Sequence, residues 1–316
     1  KLLETNNINP DLHRYPEIDG SSLREAIAKN FSIDSNRIIL GSGSDEILLF
    51  AALAFCQDGD EILHANHGFE MYSIVSKVVG AVPKKIEEDV NFNLNIENLI
   101  DQTNESTKVI YIASPNNPTG TYLSRDQLVK LMKSISKNII VVIDGAYVEY
   151  VQKDDYDKGF SLADEYENII LTRTFSKTYG LAALRVGWCY TSQKIADIIN
   201  KIKPPFNTTT ISQSLAIKAL QDKDHIESSV KLNFEIKNWF EEELKLLNIK
   251  TRQTEGNFTL IETSEDEAEK ISNHLMDDGI IIRRLNSYNL PNFLRISIGT
   301  KEEMTMTLES LKKLNV

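Results

Sequence analysis

An α/β fold is predicted: a mostly parallel sheet flanked by helices, followed by a smaller α/β unit. Three observations predict it. Almost wholly apolar runs of strand length recur along the chain, and residues 138–143 are the clearest of them, as expected of strands covered on both faces. Several of these runs end in small, polar or glycine-bearing turns, where α/β sheets hold ligands outside the carboxyl ends of their strands. The last third alternates strand pattern with helix pattern. At 316 residues the chain is long enough for one large unit and one smaller one.

Composition narrows the function classes. A hydrophobic content of 41% with 26% charged residues is ordinary for a globular protein. No run approaches the ~18 apolar residues that a membrane span needs, and no secretory leader pattern opens the sequence. Cys56 and Cys189 lie in apolar stretches without metal-ligand spacing, so reduced thiols and a cytoplasmic location are expected. A net charge of -11 argues against nucleic acid and anionic membrane surfaces as partners. Any phosphate site must then be built locally, which draws attention to Arg185, Arg283 and Arg295.

Taken in order, residues 1–20 carry little regular pattern, and Asn6-Asn7-Ile8-Asn9-Pro10 is loop chemistry. On its own, His13-Arg14-Tyr15-Pro16 makes Tyr15 a turn residue packed before a proline. Ser22-Leu23-Arg24-Glu25 reads as a capping box that opens a helix to about Asn30. A strand over residues 37–40 runs into Gly41-Ser42-Gly43-Ser44-Asp45-Glu46 and a helix over 47–55. A glycine turn entering a helix aims free amides and the helix dipole at one spot, which suits an anion; a small-residue cap gives the same letters.

The strand over 61–64 leads to Asn66-His67-Gly68-Phe69-Glu70-Met71-Tyr72, and the buried strand over 108–113 leads to Ser114-Pro115-Asn116-Asn117-Pro118-Thr119-Gly120. Two prolines and a glycine make that second turn rigid, and an asparagine amide there can hydrogen-bond a phenolic oxygen. The run 138–143 ends in Asp144-Gly145-Ala146-Tyr147. A carboxylate at the end of a buried strand is costly unless it meets a cation.

The run 168–171 ends in Thr172-Arg173-Thr174-Phe175-Ser176-Lys177-Thr178-Tyr179-Gly180-Leu181, around which the chain is organised. A lysine at a strand end can form a Schiff base with a carbonyl cofactor once burial or a neighbouring cation lowers its pKa. Beyond it come a strand over 186–191, a helix over 193–202 and the hinge Lys203-Pro204-Pro205-Phe206-Asn207. Helical pattern then fills 212–247. The remainder reads as strand 257–262, helix 265–277, strand 280–284, strand 293–298 and helix 301–314. Arg295 lies on an otherwise apolar strand, where it serves either an anionic ligand, bound bidentately, or a strand-edge salt bridge.

Ser176-Lys177, flanked by Thr174-Phe175 and followed by Tyr179-Gly180-Leu181-Ala182 and Leu184-Arg185-Val186-Gly187, resembles the cofactor-attachment segment of fold-type-I pyridoxal-phosphate aminotransferases. Within that family it looks most like the histidinol-phosphate aminotransferase branch. The resemblance runs from Arg14 to Gly299 and implies a role for each matched residue. Lys177 would bear pyridoxal 5′-phosphate covalently and shuttle the proton of the reaction. Ser176, Arg185 and the turn Gly43, Ser44, Asp45 would hold its phosphate. Phe69 would stack on the pyridine ring, Asn117 and Tyr147 would contact its 3′ oxygen, and Asp144 would keep its ring nitrogen protonated. Arg295, Arg283 and Asn117 would bind the anionic substrate. Tyr15 would reach the phosphate of a second subunit in a homodimer.

The resemblance further implies a large cofactor-binding unit over 21–205 and a small unit over 206–316 joined by residues 1–20. The implied reaction exchanges the amino group of L-histidinol phosphate with 2-oxoglutarate, giving imidazole-acetol phosphate and L-glutamate. An aromatic or broad-specificity aminotransferase and an amino-acid-phosphate decarboxylase are the alternatives on the same scaffold. Four positions depart from the family pattern. Gly145 replaces the usual glutamate, His67 a proline, Thr178 a small residue and Ala183 a glycine. The arm motif that opens relatives is not found in residues 1–20, so the sequence is expected to be partial at its start.

Overall fold

The computed structural model describes residues 13–314. Seven strands form the principal sheet: β1 (Ile38–Gly41), β2 (Glu61–Ala65), β3 (Val82–Ile86), β4 (Thr107–Ala113), β5 (Ile140–Asp144), β6 (Ile169–Thr174) and β7 (Gly187–Thr191). Their order across the sheet is β1-β7-β6-β5-β4-β2-β3. All neighbours are parallel except β7, which runs antiparallel to both β1 and β6. Alternate residues of the central strands enter opposite cores, as a pleat of period two requires. Val141, Ile143, Ile169 and Leu171 face one apolar cluster, while Ile140, Val142 and Ile170 face the other.

Helices cover both faces. On the first lie α1 (Ser21–Phe31), α4 (Ile96–Asp101), α5 (Arg125–Ser134), α6 (Phe160–Glu165) and α8 (Thr210–Gln221). On the second lie α2 (Ser44–Phe55), α3 (Met71–Val78) and α7 (Gln193–Ile202). The C-terminal part contains α9 (Lys223–Leu246), β8 (Lys250–Arg252), β9 (Phe258–Glu262), α10 (Glu265–Asp277), β10 (Arg283–Leu285), β11 (Leu290–Ser297) and α11 (Lys301–Lys313). Its four strands make an antiparallel sheet in the order β10-β11-β9-β8. Ile236, Phe240 and Leu244 of α9 pack with α10 and α11 over one face of that sheet. Ala216, Ala219 and Leu220 of α8 belong instead to the core of the large sheet, beside Leu23 and Ile27 of α1.

Two local expectations are corrected. Ser22 and Glu25 do not form a capping box: α1 begins at Ser21 behind Gly20, whose φ of 62° is left-handed, and no side chain caps it from that position. Glu17 does the work from upstream, accepting from Ser22 N at 2.8 Å, Ser22 Oγ at 2.6 Å and Ser21 Oγ at 3.1 Å. A carboxylate over the positive end of a helix satisfies its free donors as a box would. The helical pattern over 212–247 is two helices, broken where the Asp222 carboxylate accepts from His225 N at 3.2 Å and caps α9. The hinge before α8 is tied back to the large sheet, since Asn207 Nδ2 donates to Leu40 O at 3.0 Å and Glu46 Oε2 at 2.7 Å.

Candidate active site

The carboxyl ends of β4, β5 and β6 and the N-terminus of α2 converge on one cavity of about 150 Å³. Ser44, Asp45, Phe69, Asn117, Asp144, Tyr147, Ser176, Lys177 and Arg185 all line it. The fold brings nine of the residues singled out in the sequence to one place, from five separate stretches of chain.

At one end, α2 starts behind Gly43 with no side chain on its first amides. The amides of Ser44 and Asp45 and the dipole of a 12-residue helix are therefore available to an anion. Arg185 leans over the same turn, itself in the left-handed region with φ 47°. Its Nη1 donates to Ser176 Oγ at 3.3 Å and its Nη2 to Asp45 Oδ2 at 3.3 Å. A Cβ at Gly43 would collide with the Arg185 guanidinium, so only glycine lets the arginine lie against this turn. An amide cluster, a hydroxyl and a guanidinium together suit a phosphate. The Asp45 side chain already rests on Arg185, so Asp45 offers a phosphate its backbone N–H.

The other end is buried. Asp144, only 4% exposed, accepts from Thr172 Oγ1 at 2.8 Å and from Tyr72 OH at 3.0 Å. No arginine or lysine pairs with it among the described residues. Burial pushes its pKa up, and the hydrogen bonds from Thr172 and Tyr72 pull the other way. Burial, then the nearby Asp144, raises Tyr72 far above the usual phenol range, so Tyr72 stays a donor. A carboxylate so placed suits a ligand cation, such as a protonated pyridine nitrogen.

Lys177 lies between the two ends. Its Nζ sits 5.1 Å from the centre of the Tyr147 ring and has no hydrogen-bond or carboxylate partner among the described residues, which leaves the amine free to bond a carbonyl. Asn117 is oriented by Arg295, whose Nη1 donates to Asn117 Oδ1. The Asn117 amide N–H groups are left for an acceptor in the cavity, as a phenolic oxygen would be. Phe69 lines the wall and packs edge-on against Tyr72, with ring centres 5.9 Å apart. The residues present thus fit a pyridine ring bearing an aldehyde, a phenolic oxygen and a phosphate.

Arg295 stands on β11 next to the cavity. Its Nε is buried without a partner, and its guanidinium lies 5.3 Å from the Phe258 ring centre. Arg283 is its register partner on β10 and faces Glu70 Oε2 at 3.5 Å in a half-exposed pair; it does not line the cavity. Tyr15 lies away from it too, 82% exposed and stacked on Phe206 at 4.7 Å. Sequence reasoning gave Tyr72 and Thr172 no role. Tyr72 follows Phe69 by three residues, which places the two on one side of a helical turn; that spacing was the available signal.

The departures also find their places. At Gly145 a side chain would run into the buried guanidinium of Arg173 and meet Val148 Cγ1 at 2.6 Å. Arg173 fills that space, donating to Thr172 O at 2.7 Å and to Lys158 O. Thr178 is buried and donates to Glu149 Oε2 at 3.4 Å, while Ala183 is exposed in a short 3₁₀ turn.

Residues 1–311 match the model of the family "Aminotransferase class I and II". The chain belongs to the class I and II aminotransferases. It is therefore a transferase enzyme, and pyridoxal 5′-phosphate is its cofactor. The histidinol-phosphate aminotransferase of Roseobacter denitrificans is 39% identical over 305 residues, 96% of this chain and 84% of that protein. The one from Pelagibacter ubique is 39% identical over 304 residues, 95% of this chain and 84% of its own length. Solved aminotransferases share the fold. The histidinol-phosphate aminotransferase of Sinorhizobium meliloti, in complex with pyridoxal-5′-phosphate, superposes with a TM-score of 0.91 at 24% identity, covering 96% of this chain and 84% of that one. The aromatic aminotransferase of Pyrococcus horikoshii gives 0.82 at 22% identity, with 95% and 87% covered. No helix among the described residues is long and apolar enough to cross a membrane.

Proposed function

We propose that this aminotransferase exchanges the amino group of L-histidinol phosphate with 2-oxoglutarate, a step of histidine biosynthesis. Relatives of 35–39% identity are named histidinol-phosphate aminotransferase, which supports the amino donor. The observation that carries the choice of an anionic substrate is Arg295, whose guanidinium has a buried nitrogen without a partner and no carboxylate beside it among the described residues. A partly buried guanidinium with no counter-charge is unfavourable, and a phosphate or carboxylate satisfies it bidentately.

Pyridoxal 5′-phosphate, when bound, supplies an aldehyde carbon for the amino group and a protonated ring that draws electrons from the substrate Cα. The residues of the chain do the rest. Ser176 Oγ, the Arg185 guanidinium and the α2 amides hold the phosphate. Asp144 keeps the proton on the ring nitrogen. Asn117 Nδ2 and Tyr147 OH orient the phenolic oxygen, and Phe69 packs on the ring. Lys177 Nζ would take the proton from the substrate Cα and carry it as the general base and acid of the exchange. In the second half, 2-oxoglutarate replaces the first product and the proton travels back. Arg295 serves both halves, binding the phosphate of one substrate and a carboxylate of the other.

Arg283, paired with Glu70 at the edge of β10, would add its positive charge to the phosphate end of the substrate. Tyr15, exposed and stacked on Phe206, suits a residue that completes the site of a second copy, so a homodimer in the cytoplasm goes with this reading. The test is a single-turnover half-reaction with L-histidinol phosphate, L-tyrosine and L-phenylalanine, followed by cofactor absorbance, for wild type and Arg295→Leu. Histidinol phosphate should be the fastest donor and should lose roughly 1.5–3 kcal/mol of transition-state stabilisation in the variant. L-Histidinol without its phosphate should distinguish little between the two proteins. Equal losses for both amines would make Arg295 structural and favour an aromatic substrate.

A further inference from the structure

The turn that carries Phe69 is held by contacts that the proposed chemistry does not use. His67 Nδ1 donates to Glu88 Oε2 at 2.5 Å, and His67 N approaches the same oxygen at 3.4 Å. The Glu88 side chain is 2% exposed, and its other oxygen has no partner. His67 is thus the sole group that satisfies this buried carboxylate among the described residues. The carbonyl of His67 in turn accepts from Asn116 Nδ2 at 3.1 Å, which joins the Phe69 turn to the Asn117 turn.

Glu88 begins a short hairpin, bridged to Leu94. The Asp89 carboxylate closes it, accepting from Asn91 N at 2.8 Å and Asn93 N at 2.9 Å. At its tip Phe92 has a φ of 64°, a conformation that a bulky residue keeps only when its surroundings enforce it. The ring is seated in the second core of the small sheet, with Leu260, Leu285, Tyr288, Leu290 and Phe293. It meets Phe293 edge-on at 5.3 Å and His67 edge-on at 5.4 Å. Phe293 lies two residues before Arg295 on β11, and Arg252 Nη1 adds a bond to Asn91 Oδ1 at 3.2 Å.

We infer that the 88–94 hairpin is a positioning element of the active site. Glu88 fixes His67 and so the ring of Phe69, and Phe92 makes that position depend on the strand that carries Arg295. None of Glu88, His67 and Phe92 lines the cavity. A family proline at position 67 would set the turn by its ring alone; here an imidazole–carboxylate contact sets it, from an element that also reads the small unit. Substrate capture by Arg295 and the packing on the cofactor ring are then mechanically linked.

The inference rests on the cofactor reading above, and its test separates the two. Cofactor-free wild type, Glu88→Gln, His67→Gln, the double variant and Phe92→Leu are titrated with pyridoxal 5′-phosphate. Dissociation constants, the visible circular dichroism of the bound cofactor, far-ultraviolet dichroism and the KM for the phosphorylated amine are measured. Glu88→Gln should weaken cofactor binding about tenfold and diminish the visible dichroism with unchanged far-ultraviolet signal. His67→Gln should repeat this, and the double variant should be no worse than Glu88→Gln, because both remove one contact. Phe92→Leu should perturb the visible dichroism although its ring lies outside the cavity, and should raise KM more than it lowers kcat. Additive losses in the double variant, or wild-type cofactor binding and dichroism in Glu88→Gln and Phe92→Leu with only a lower Tm, would overturn the inference alone. Wild type that takes up no pyridoxal phosphate would overturn the cofactor reading with it.

Discussion

The two ends of the cavity solve opposite electrostatic problems. At the α2 end the cation is Arg185, 47% exposed in its side chain, with both its carboxylate and its hydroxyl partner at 3.3 Å. At the β5 end the anion is Asp144, almost fully buried and gripped by two hydroxyls at 2.8 and 3.0 Å. An anion can be bound by many weak donors around a partly wet rim, each replaceable. A ligand cation would meet one desolvated carboxylate here, whose charge is expensive until a cation arrives. The first end is redundant and the second is not, so mutations should hurt unequally.

The largest loss is expected at Lys177, which stands between the ends and belongs to neither. Lys177→Ala should slow turnover by roughly 10²–10⁴-fold. Borohydride reduction of loaded wild type should fix the cofactor on a peptide containing Lys177; a label elsewhere would defeat the assignment. Next comes the buried end. Asp144→Asn should slow Cα proton removal at least about a hundredfold, or two steps of about 1.4 kcal/mol, while cofactor still binds. The same change should raise the Tm of cofactor-free protein at neutral pH. The sign follows from linkage. A carboxyl whose folded pKa is raised supports the fold below its unfolded pKa, and that support is lost as pH rises through the folded value; asparagine has no such loss. Near-wild-type rates, or a lower Tm throughout, would erase the distinction between the ends.

The rim should give way more gently. Arg185→Lys keeps a charge but loses the planar fork, and the remaining amides and Ser176 still hold a phosphate. Cofactor affinity should drop about tenfold, with the rate at saturating cofactor little changed; a collapse in rate would show that the rim is not redundant. The smallest effect concerns support behind the buried end. His64 is buried beneath Tyr72, with ring centres 5.9 Å apart. Burial holds its pKa down at about 4, against an ordinary value of 6.5. A folded pKa lowered in this way gives stability that is complete above the unfolded value and lost as pH falls toward 4. At pH 5.5 the loss should be about 1.4 kcal/mol, seen in urea unfolding and absent from His64→Gln.

The same contrast explains how much of the site could be read in the sequence. The rim was legible because its parts are contiguous: a glycine turn before a helix, and Ser176, Lys177 and Arg185 within one short segment. Asp144 was legible as a carboxylate at the end of an apolar run. Its hydroxyl partners were not, because Tyr72 comes from α3 and Thr172 from the neighbouring strand, and only the spacing of Tyr72 from Phe69 hints at either. The expected capping box at Ser22 gave way to Glu17 for a similar reason, since several nearby carboxylates could serve one helix end and only the path of the chain selects among them.

By itself the sequence determined the alternation of strands and helices and the polar turns at strand ends that carry Asn117, Asp144 and Lys177. These follow from short-range rules of periodicity, turn chemistry and charge in apolar surroundings. Tertiary structure decided which polar groups meet. It placed Arg295 against Asn117, filled the space at Gly145 with Arg173, and seated Phe92 in the core of the other sheet. The physical reason is range. A hydrogen bond or packed ring is fixed by atoms a few ångströms apart in space, and those atoms are set side by side only when strands distant in the chain pair in register.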